Sequence, residues 1–165
     1  LFLLLTLLSL FTVTFYYAMN ATNIYIVLKD GMAKRAQVIM MEEDASELTK
    51  FFQSSYLQRD QNLQIALEGK SPYTYYTVRG IDHRLKMTWM WCWPWDTTAR
   101  AEFSETIPRI DGRVKSSSAE AARALYGDGF EYPPKWQGGR YSATLVKENG
   151  QWHVRSLTLV SQVEE

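Results

Sequence analysis

The sequence predicts an α+β protein in which an N-terminal transmembrane helix precedes a curved, mostly antiparallel sheet that packs on helices in a cone-like arrangement. Three observations predict this fold class. The first 28 residues carry no charge. Apolar residues then recur at helical spacing as far as about residue 60. Beyond Pro72 the apolar period changes to two, which is typical of strands.

Residues 1–28 are predicted to form a transmembrane helix and its exit segment. A helix needs about 20 apolar residues to cross the hydrocarbon core, and Leu1–Met19 nearly supplies them. Tyr16 and Tyr17 follow where an interfacial aromatic belt would lie. A cleaved signal peptide and a buried core helix are the competing interpretations. We expect a single-pass membrane protein with an extracytoplasmic soluble domain, although the sequence alone does not orient the helix.

Two further helices are predicted. Apolar spacing after Gly31 indicates a connecting amphipathic helix over residues 29–43. The stretch "DASELTKFFQSSYLQRD" then predicts one long helix that opens the cone-like domain, residues 44–161. Asp44 and Glu47 have capping-box spacing at its start, and "EGKSP" breaks the pattern at its end. Residues 162–165 are predicted to be a tail.

The rest of the domain reads as strands with one short helix. The run "YTYYTVRGIDHRLKMTWMWCWPWD" is strand-like with a break at Gly80, and "TTARAEFSETI" is expected to pair with it. Asp111-Gly112 predicts a turn. "SSSAEAARALYG" predicts a short helix that stops at Gly127. "RYSATLVKENGQWHVRSLTLV" predicts a hairpin around Asn149-Gly150.

A row of tryptophans occupies alternate positions of the second predicted strand. Four of the six tryptophans in the chain form it, namely Trp89, Trp91, Trp93 and Trp95. If they continue the inward phase of Leu85 and Met87, they fill the core and leave no room for a ligand. We therefore predict a core aromatic row, and the alternative is an exposed aromatic patch that contacts a partner or lipid.

The layout resembles the cystatin-like cone fold of the nuclear transport factor two superfamily. The resemblance rests on "DASELTKFFQSSYL", on the strands "RLKMTWMWCWPWD" and "ARAEFSETI", and on the closing "GRYSATLVKENGQWHVRSL". It implies that the tryptophan of the closing hairpin reaches the core. A membrane helix before such a domain also resembles the single-pass assembly components of bacterial type IV secretion and conjugation machines, which are scaffolds without catalysis.

The loop "YGDGFEYPPKWQGG" is the predicted partner-binding segment. Its large side chains are Tyr126, Phe130, Tyr132 and Trp136. Either these rings fold back over the sheet, or they dock on another chain, since tyrosine and tryptophan are common interface anchors.

The charge balance and the few cysteine and histidine residues argue against nucleic-acid binding, a disulfide within the chain and a metal site. Eighteen Lys and Arg residues balance eighteen Asp and Glu residues and no basic run occurs, so we expect no nucleic-acid partner. One cysteine, Cys92, cannot form a disulfide within the chain, and two histidines, His83 and His153, are too few for a usual metal site. We predict no catalytic residue, no metal and no cofactor.

We therefore expect a membrane-anchored, non-catalytic scaffold that binds membrane lipid and other proteins of an envelope complex such as a secretion or conjugation machine, including further copies of itself. One alternative is an accessory subunit of a larger membrane complex, whose helix packs on other helices. A second is a small-molecule binder or isomerase-like enzyme with an open cone pocket, using Asp96, His83 or Tyr75 near its mouth.

Overall fold

The computed structural model describes residues 2–163, and it is an α+β protein. A long helix, α1 (Phe2–Met41), comes first and is followed by short helices and six strands. The remaining helices are α2 (Ser54–Leu57), α3 (Gln61–Leu67) and α4 (Ala119–Tyr126). The strands are β1 (Tyr76–Ile81), β2 (Arg84–Trp91), β3 (Thr98–Thr106), β4 (Ile110–Val114), β5 (Gly138–Glu148) and β6 (Gln151–Val163).

Helix α1 is continuous across the two predicted segments, 1–28 and 29–43, as far as Met41. Every side chain from residue 2 to residue 16 is exposed, whereas a buried stripe runs from Asn20 onward at helical spacing. Gly31 lies in the helix because that face approaches the following turn closely. A Cβ atom there would come within 2.8 Å of the Phe51 Cβ.

The long helix predicted over residues 44–60 is broken, and this prediction is wrong. Asp44 does cap a turn, a 3₁₀ segment (Ala45–Lys50), by accepting a 2.9 Å hydrogen bond from the Ser46 amide. The chain then leaves helical geometry because Phe52 forms an isolated parallel bridge with Val154 of β6. The Val154 amide donates to the Phe51 carbonyl at 2.7 Å, and the Gln53 amide donates to the Val154 carbonyl at 2.9 Å.

Four strands form the larger sheet in the order β2-β3-β5-β6, and every neighbouring pair is antiparallel. The predicted pairing of β2 with β3 is confirmed, as is the closing hairpin. Asn149 and Gly150 make its turn with φ values of 51° and 81°. Within residues 2–163 the sheet is open, because β2 and β6 remain as edges.

Strands β1 and β4 form a separate two-stranded sheet. The turn predicted at Asp111-Gly112 is wrong, because Gly112 pairs with Val78 inside this sheet. A Cβ atom at Gly112 would lie 2.9 Å from the Pro133 side chain, so close packing explains the glycine. The predicted stop at Gly127 is confirmed, since its φ of 61° ends α4.

The core lies between the buried face of α1 and the larger sheet. The sheet contributes Ala99, Ala101, Phe103 and Leu145, and Trp152 of the closing hairpin is also buried. Of the predicted tail, Gln162 and Val163 continue β6, and residues 164–165 lie outside the described residues, as does Leu1 of the predicted transmembrane segment.

Candidate functional site

A β-bulge at Thr88 sets the direction of the tryptophan side chains. Met87 pairs with Phe103, but the next pair joins Trp89 to Glu102, so Thr88 is left without a partner residue on β3. One extra residue in a strand moves every later side chain to the opposite face of the sheet. Met90 therefore takes the inward position opposite Ala101, which is fully buried.

The tryptophan row consequently faces outward, and the prediction of a core aromatic row is wrong. Trp89, Trp91, Trp93 and Trp95 are between 45% and 69% exposed. Trp89 lies opposite Glu102, and Trp91 lies opposite Arg100, on the outer face of the sheet. The bulge is the physical reason. Before it the odd-numbered side chains Leu85 and Met87 face inward, and after it the odd-numbered side chains face outward. These indoles therefore do not fill the interior of the domain.

The sequence contains a signal for this reversal. Even positions are polar as far as Thr88 and apolar at Met90 and Cys92. Cys92 is buried, and its thiol contacts the Trp93 carbonyl oxygen at 3.2 Å. Burial, together with the charge of Asp96, raises the pKa of this thiol, as expected for an inert packed cysteine.

Three of the exposed tryptophans continue a row of rings that starts on α1. The Tyr17 and Trp91 ring centroids are 6.0 Å apart, those of Trp91 and Trp93 are 5.1 Å apart, and those of Trp93 and Trp95 are 5.4 Å apart. We call these four side chains the aromatic ladder. They meet the helix where its exposed part ends.

Hydrogen bonds attach the segment carrying the ladder to the helix. The Tyr17 hydroxyl donates to the Met90 carbonyl at 3.5 Å, and the Asn20 side-chain amide donates to the Pro94 carbonyl at 3.3 Å. Asn20 is buried by this contact. The position of the ladder relative to α1 is therefore held by specific contacts.

A cleft of about 420 Å³ lies beside the ladder. The side chains that line it include Trp91, Trp93, Asp96, Thr98, Arg100 and Thr144. The Asp96 carboxylate accepts a 3.4 Å hydrogen bond from the Trp93 amide, so it caps the turn after β2. Arg100 has no ion-pair partner within residues 2–163.

A second group of polar side chains is buried beneath the sheet. Arg35 of α1 forms an ion pair with Asp60, and the Tyr56 hydroxyl donates to the same carboxylate at 3.3 Å. Burial alone would raise the pKa of Asp60, but the hydrogen bonds and charge of Arg35 outweigh burial and lower it. These groups stabilise one another in the interior.

His83 and Glu105 form a separate buried pair. The His83 Nε2 atom lies 2.9 Å from Glu105 Oε1, and Glu105 is fully buried. Glu105 Oε2 has no hydrogen-bond partner among the described residues. Glu105 is not among the predicted site residues, although its side chain faces inward at alternate spacing with Ala101 and Phe103 along β3.

The structure does not bring the residues of the predicted enzyme site together on one strand end. His83 precedes β2 and Asp96 follows it, so the length of that strand separates them. Tyr75 lies just before β1, in the other sheet. In the described part of the chain, no group of three or more His, Cys, Asp or Glu side chains could hold a metal ion.

The predicted partner-binding rings pack at several places on the domain surface. Tyr126 lies against Tyr76, and Trp136 is half-buried against Tyr73, with centroid distances of 6.3 and 6.4 Å. The Arg123 guanidinium covers the Phe130 ring at 4.7 Å, and that of Arg113 covers Tyr132 at 4.0 Å. Tyr126 and Tyr132 still expose 38% and 55% of their surface.

No family model, curated protein or solved structure matches this chain at a significant level. The resemblances to the cystatin-like cone fold and to secretion-machine components therefore stay predictions. Helix α1 is long and apolar enough to cross a membrane, with a mean hydropathy of 1.9 over an 18-residue window in which no residue is buried. A signal sequence near the N-terminus would meet the same criteria of length and hydropathy.

Proposed function

We propose that this protein is a single-pass, membrane-anchored scaffold without catalytic activity, and that its cone-like domain assembles with other proteins of an envelope complex such as a secretion or conjugation machine. We place the domain on the extracytoplasmic side. The exposure of α1 is the observation that carries this proposal. All side chains of residues 2–16 are exposed and none is charged. A row of leucines and phenylalanines in water is unfavourable, so a bilayer is the environment that fits it.

The junction between helix and domain supports anchoring over removal. Signal sequences are cleaved from the mature protein, but here the same helix supplies Ile24, Leu28 and Met32 to the core. Cleavage at the end of the exposed stretch would also remove Tyr17 and its contacts with Met90 and Trp91. The helix is therefore a permanent part of the fold in this proposal.

Anchoring is tested by charge substitution within the apolar half of α1. Leu8→Arg places a charge near the middle of the exposed stretch, where insertion costs about 3 kcal/mol. Ile65→Arg makes the same change at an exposed apolar residue of α3 and is the matched control. The wild-type chain and the control are expected to stay in membranes washed with alkaline carbonate, and Leu8→Arg is expected to be released. Release of the wild-type chain would contradict anchoring.

The exposed tyrosines of the aromatic loop support a partner surface there. We expect photoreactive phenylalanine analogues at Tyr126 and Tyr132 to cross-link to other proteins in intact membranes. Arg79, an exposed residue of β1, is the control position. Adducts at the two tyrosines and none at Arg79 would support the proposal, and equal labelling at all three positions would contradict it. An adduct of twice the chain mass would identify the partner as a second copy.

The accessory-subunit alternative predicts a different cross-linking pattern. Its helix packs on other helices, so a photoreactive group at Phe11 should capture another membrane protein while Tyr132 captures none. Phe11 is exposed on α1 and is available for such contacts.

The His83–Glu105 pair favours the enzyme alternative. A buried carboxylate beside an imidazole, with one oxygen lacking a partner, is a usable acid–base pair. A screen of small molecules by NMR tests this alternative, with Glu105→Gln as the binding-site variant and Glu102→Gln, on the outer face of β3, as control. Binding that Glu105→Gln alone abolishes would favour the enzyme over the scaffold.

A further inference from the structure

The aromatic ladder lies at the level where the exposed part of α1 ends. Residues 2–19 form 18 helical positions, which rise about 27 Å at about 1.5 Å per residue, close to the ~30 Å hydrocarbon thickness of a bilayer. Tyr17 is the first partly buried residue of the helix, and its burial comes from the segment that carries the ladder. If α1 crosses a bilayer, the contact between Tyr17 and Trp91 places the ladder at the boundary between hydrocarbon and headgroups.

The chemistry of the ladder fits that depth. Indole rings prefer the headgroup level, where an apolar ring and a polar N–H are both accommodated. The rings of Trp91, Trp93 and Trp95 follow one another at centroid distances of 5.1 and 5.4 Å, and these side chains are between 45% and 69% exposed.

Arg100 adds a positive charge that suits the phosphate groups of lipids. It lies opposite Trp91 on the outer face and lines the cleft between Trp91 and Trp93. Asp96, the carboxylate in the same cleft, is directed at the Trp93 amide. The Arg100 guanidinium is without an ion-pair partner in the described chain and is of the type that binds phosphate groups.

We propose that the aromatic ladder is a second membrane contact, in which the indoles of Trp91, Trp93 and Trp95 insert at the headgroup level and Arg100 binds lipid phosphate. This inference rests on the proposed anchoring of α1. The ladder would hold the domain against the bilayer surface. The end of β2 that carries Trp91 would then face lipid, and the end that carries Arg84 would face water.

Site-directed fluorescence in lipid vesicles tests the proposal. The full chain, with Cys92→Ser as background, carries an environment-sensitive dye at Trp95→Cys and is reconstituted into phosphatidylcholine vesicles. Lys86→Cys is the matched control, because Lys86 is an exposed residue of β2, the strand that precedes Trp95, and lies on the far side of the bulge. We expect blue-shifted emission at position 95, with most of it quenched by lipids carrying a nitroxide near the glycerol, and neither effect at position 86.

The outcomes separate the two proposals. Vesicle-bound protein with equal, water-like emission at both positions would overturn the second contact and leave the anchor intact. Protein that carbonate strips from the vesicles would overturn both. Protection of position 95 in native membranes but not in lipid-only vesicles would assign the ladder to a protein partner and overturn the lipid contact.

Native tryptophan fluorescence gives a measurement without labels. Brominated lipids should quench the emission of the unmodified chain more than that of a Trp91→Phe, Trp93→Phe, Trp95→Phe variant, in which Trp89, Trp136 and the buried Trp152 remain. Equal fractional quenching of the two proteins would overturn the proposal. Arg100→Gln should weaken quenching in vesicles that contain anionic phosphatidylglycerol at low salt, whereas Arg109→Gln, at an exposed position beyond the other end of β3, should not.

Discussion

Arg35, near the C-terminal end of α1, forms two hydrogen bonds with Asp60, the residue that caps α3. The Arg35 Nε atom lies 2.5 Å from Asp60 Oδ2, and Nη2 lies 2.9 Å from Oδ1. Both side chains are buried, and Asp60 also accepts a 3.3 Å hydrogen bond from the Leu63 amide. One carboxylate therefore connects the long helix to the start of a short one.

Asp60→Ala is expected to destabilise the protein by about 3 kcal/mol, because it leaves the buried guanidinium of Arg35 without its counter-charge. Urea unfolding of the full chain in mild detergent, followed by circular dichroism, measures the change. Glu47→Ala breaks only exposed ion pairs with Lys34 and Lys50, and should cost less than about 1 kcal/mol. Equal losses for the two variants would contradict a structural role for the Arg35–Asp60 pair.

The same pair predicts loss of stability in acid. Because Arg35 lowers the pKa of Asp60 in the folded chain, the stabilisation is fully present above the unfolded pKa of about 3.9 and is lost as the pH falls through the lower, folded value. The free energy of unfolding should therefore fall with pH below about 4. In Asp60→Asn this part of the slope should disappear, and an unchanged slope in that variant would assign the acid sensitivity to other groups.

The bulge at Thr88 predicts that a charged side chain is tolerated at position 89 and is not tolerated at position 90. Met90→Lys directs a charge toward the fully buried Ala101 and should cost about 2 kcal/mol or more. Trp89→Lys places the same charge on the outer face and should cost less than about 1 kcal/mol. Urea midpoints of the two variants compare them directly. A larger loss for Trp89→Lys would mean that the tryptophans face the core.

Gly31→Ala should destabilise the protein even though alanine favours a helix by about 1 kcal/mol over glycine. The new Cβ atom would meet Phe51 Cβ at 2.8 Å and Phe52 at 3.2 Å, and such overpacking typically costs about 1–3 kcal/mol. Asp30→Ala, at the exposed position before it, is the control and should change the stability by less than about 0.5 kcal/mol. Thermal melts of both variants test this contact, and a rise in melting temperature for Gly31→Ala would contradict it.

Local chemistry accounts for the elements that the sequence predicts well. The closing hairpin follows from Asn149-Gly150 between two alternating runs, and the end of α4 follows from Gly127. The α+β class follows from the change of apolar period. Each of these depends on residues close together in the chain, so the sequence alone contains the necessary information.

Contacts between distant residues explain the elements that were predicted incorrectly. The helix over residues 44–60 breaks because Val154, about a hundred positions later, forms hydrogen bonds with Phe51 and Gln53. The tryptophan row faces outward because β3 skips Thr88 in its pairing. The local sequence pattern identifies neither the contact with Val154 nor the unpaired Thr88. The apolar even positions Met90 and Cys92 are the one local sign of the bulge. The sequence offered the exposed aromatic patch only as the alternative, and the buried Glu105 was missed for the same reason.

The unbroken geometry of α1 has a mechanical consequence. Forty helical residues make a rod about 60 Å long, and its far half is clamped by the sheet. Helix α1 has no break between Phe2 and Met41. A change in the tilt of its N-terminal half would therefore reorient the domain by the same angle. The exposed half of α1 and the sheet would move together as one rigid body.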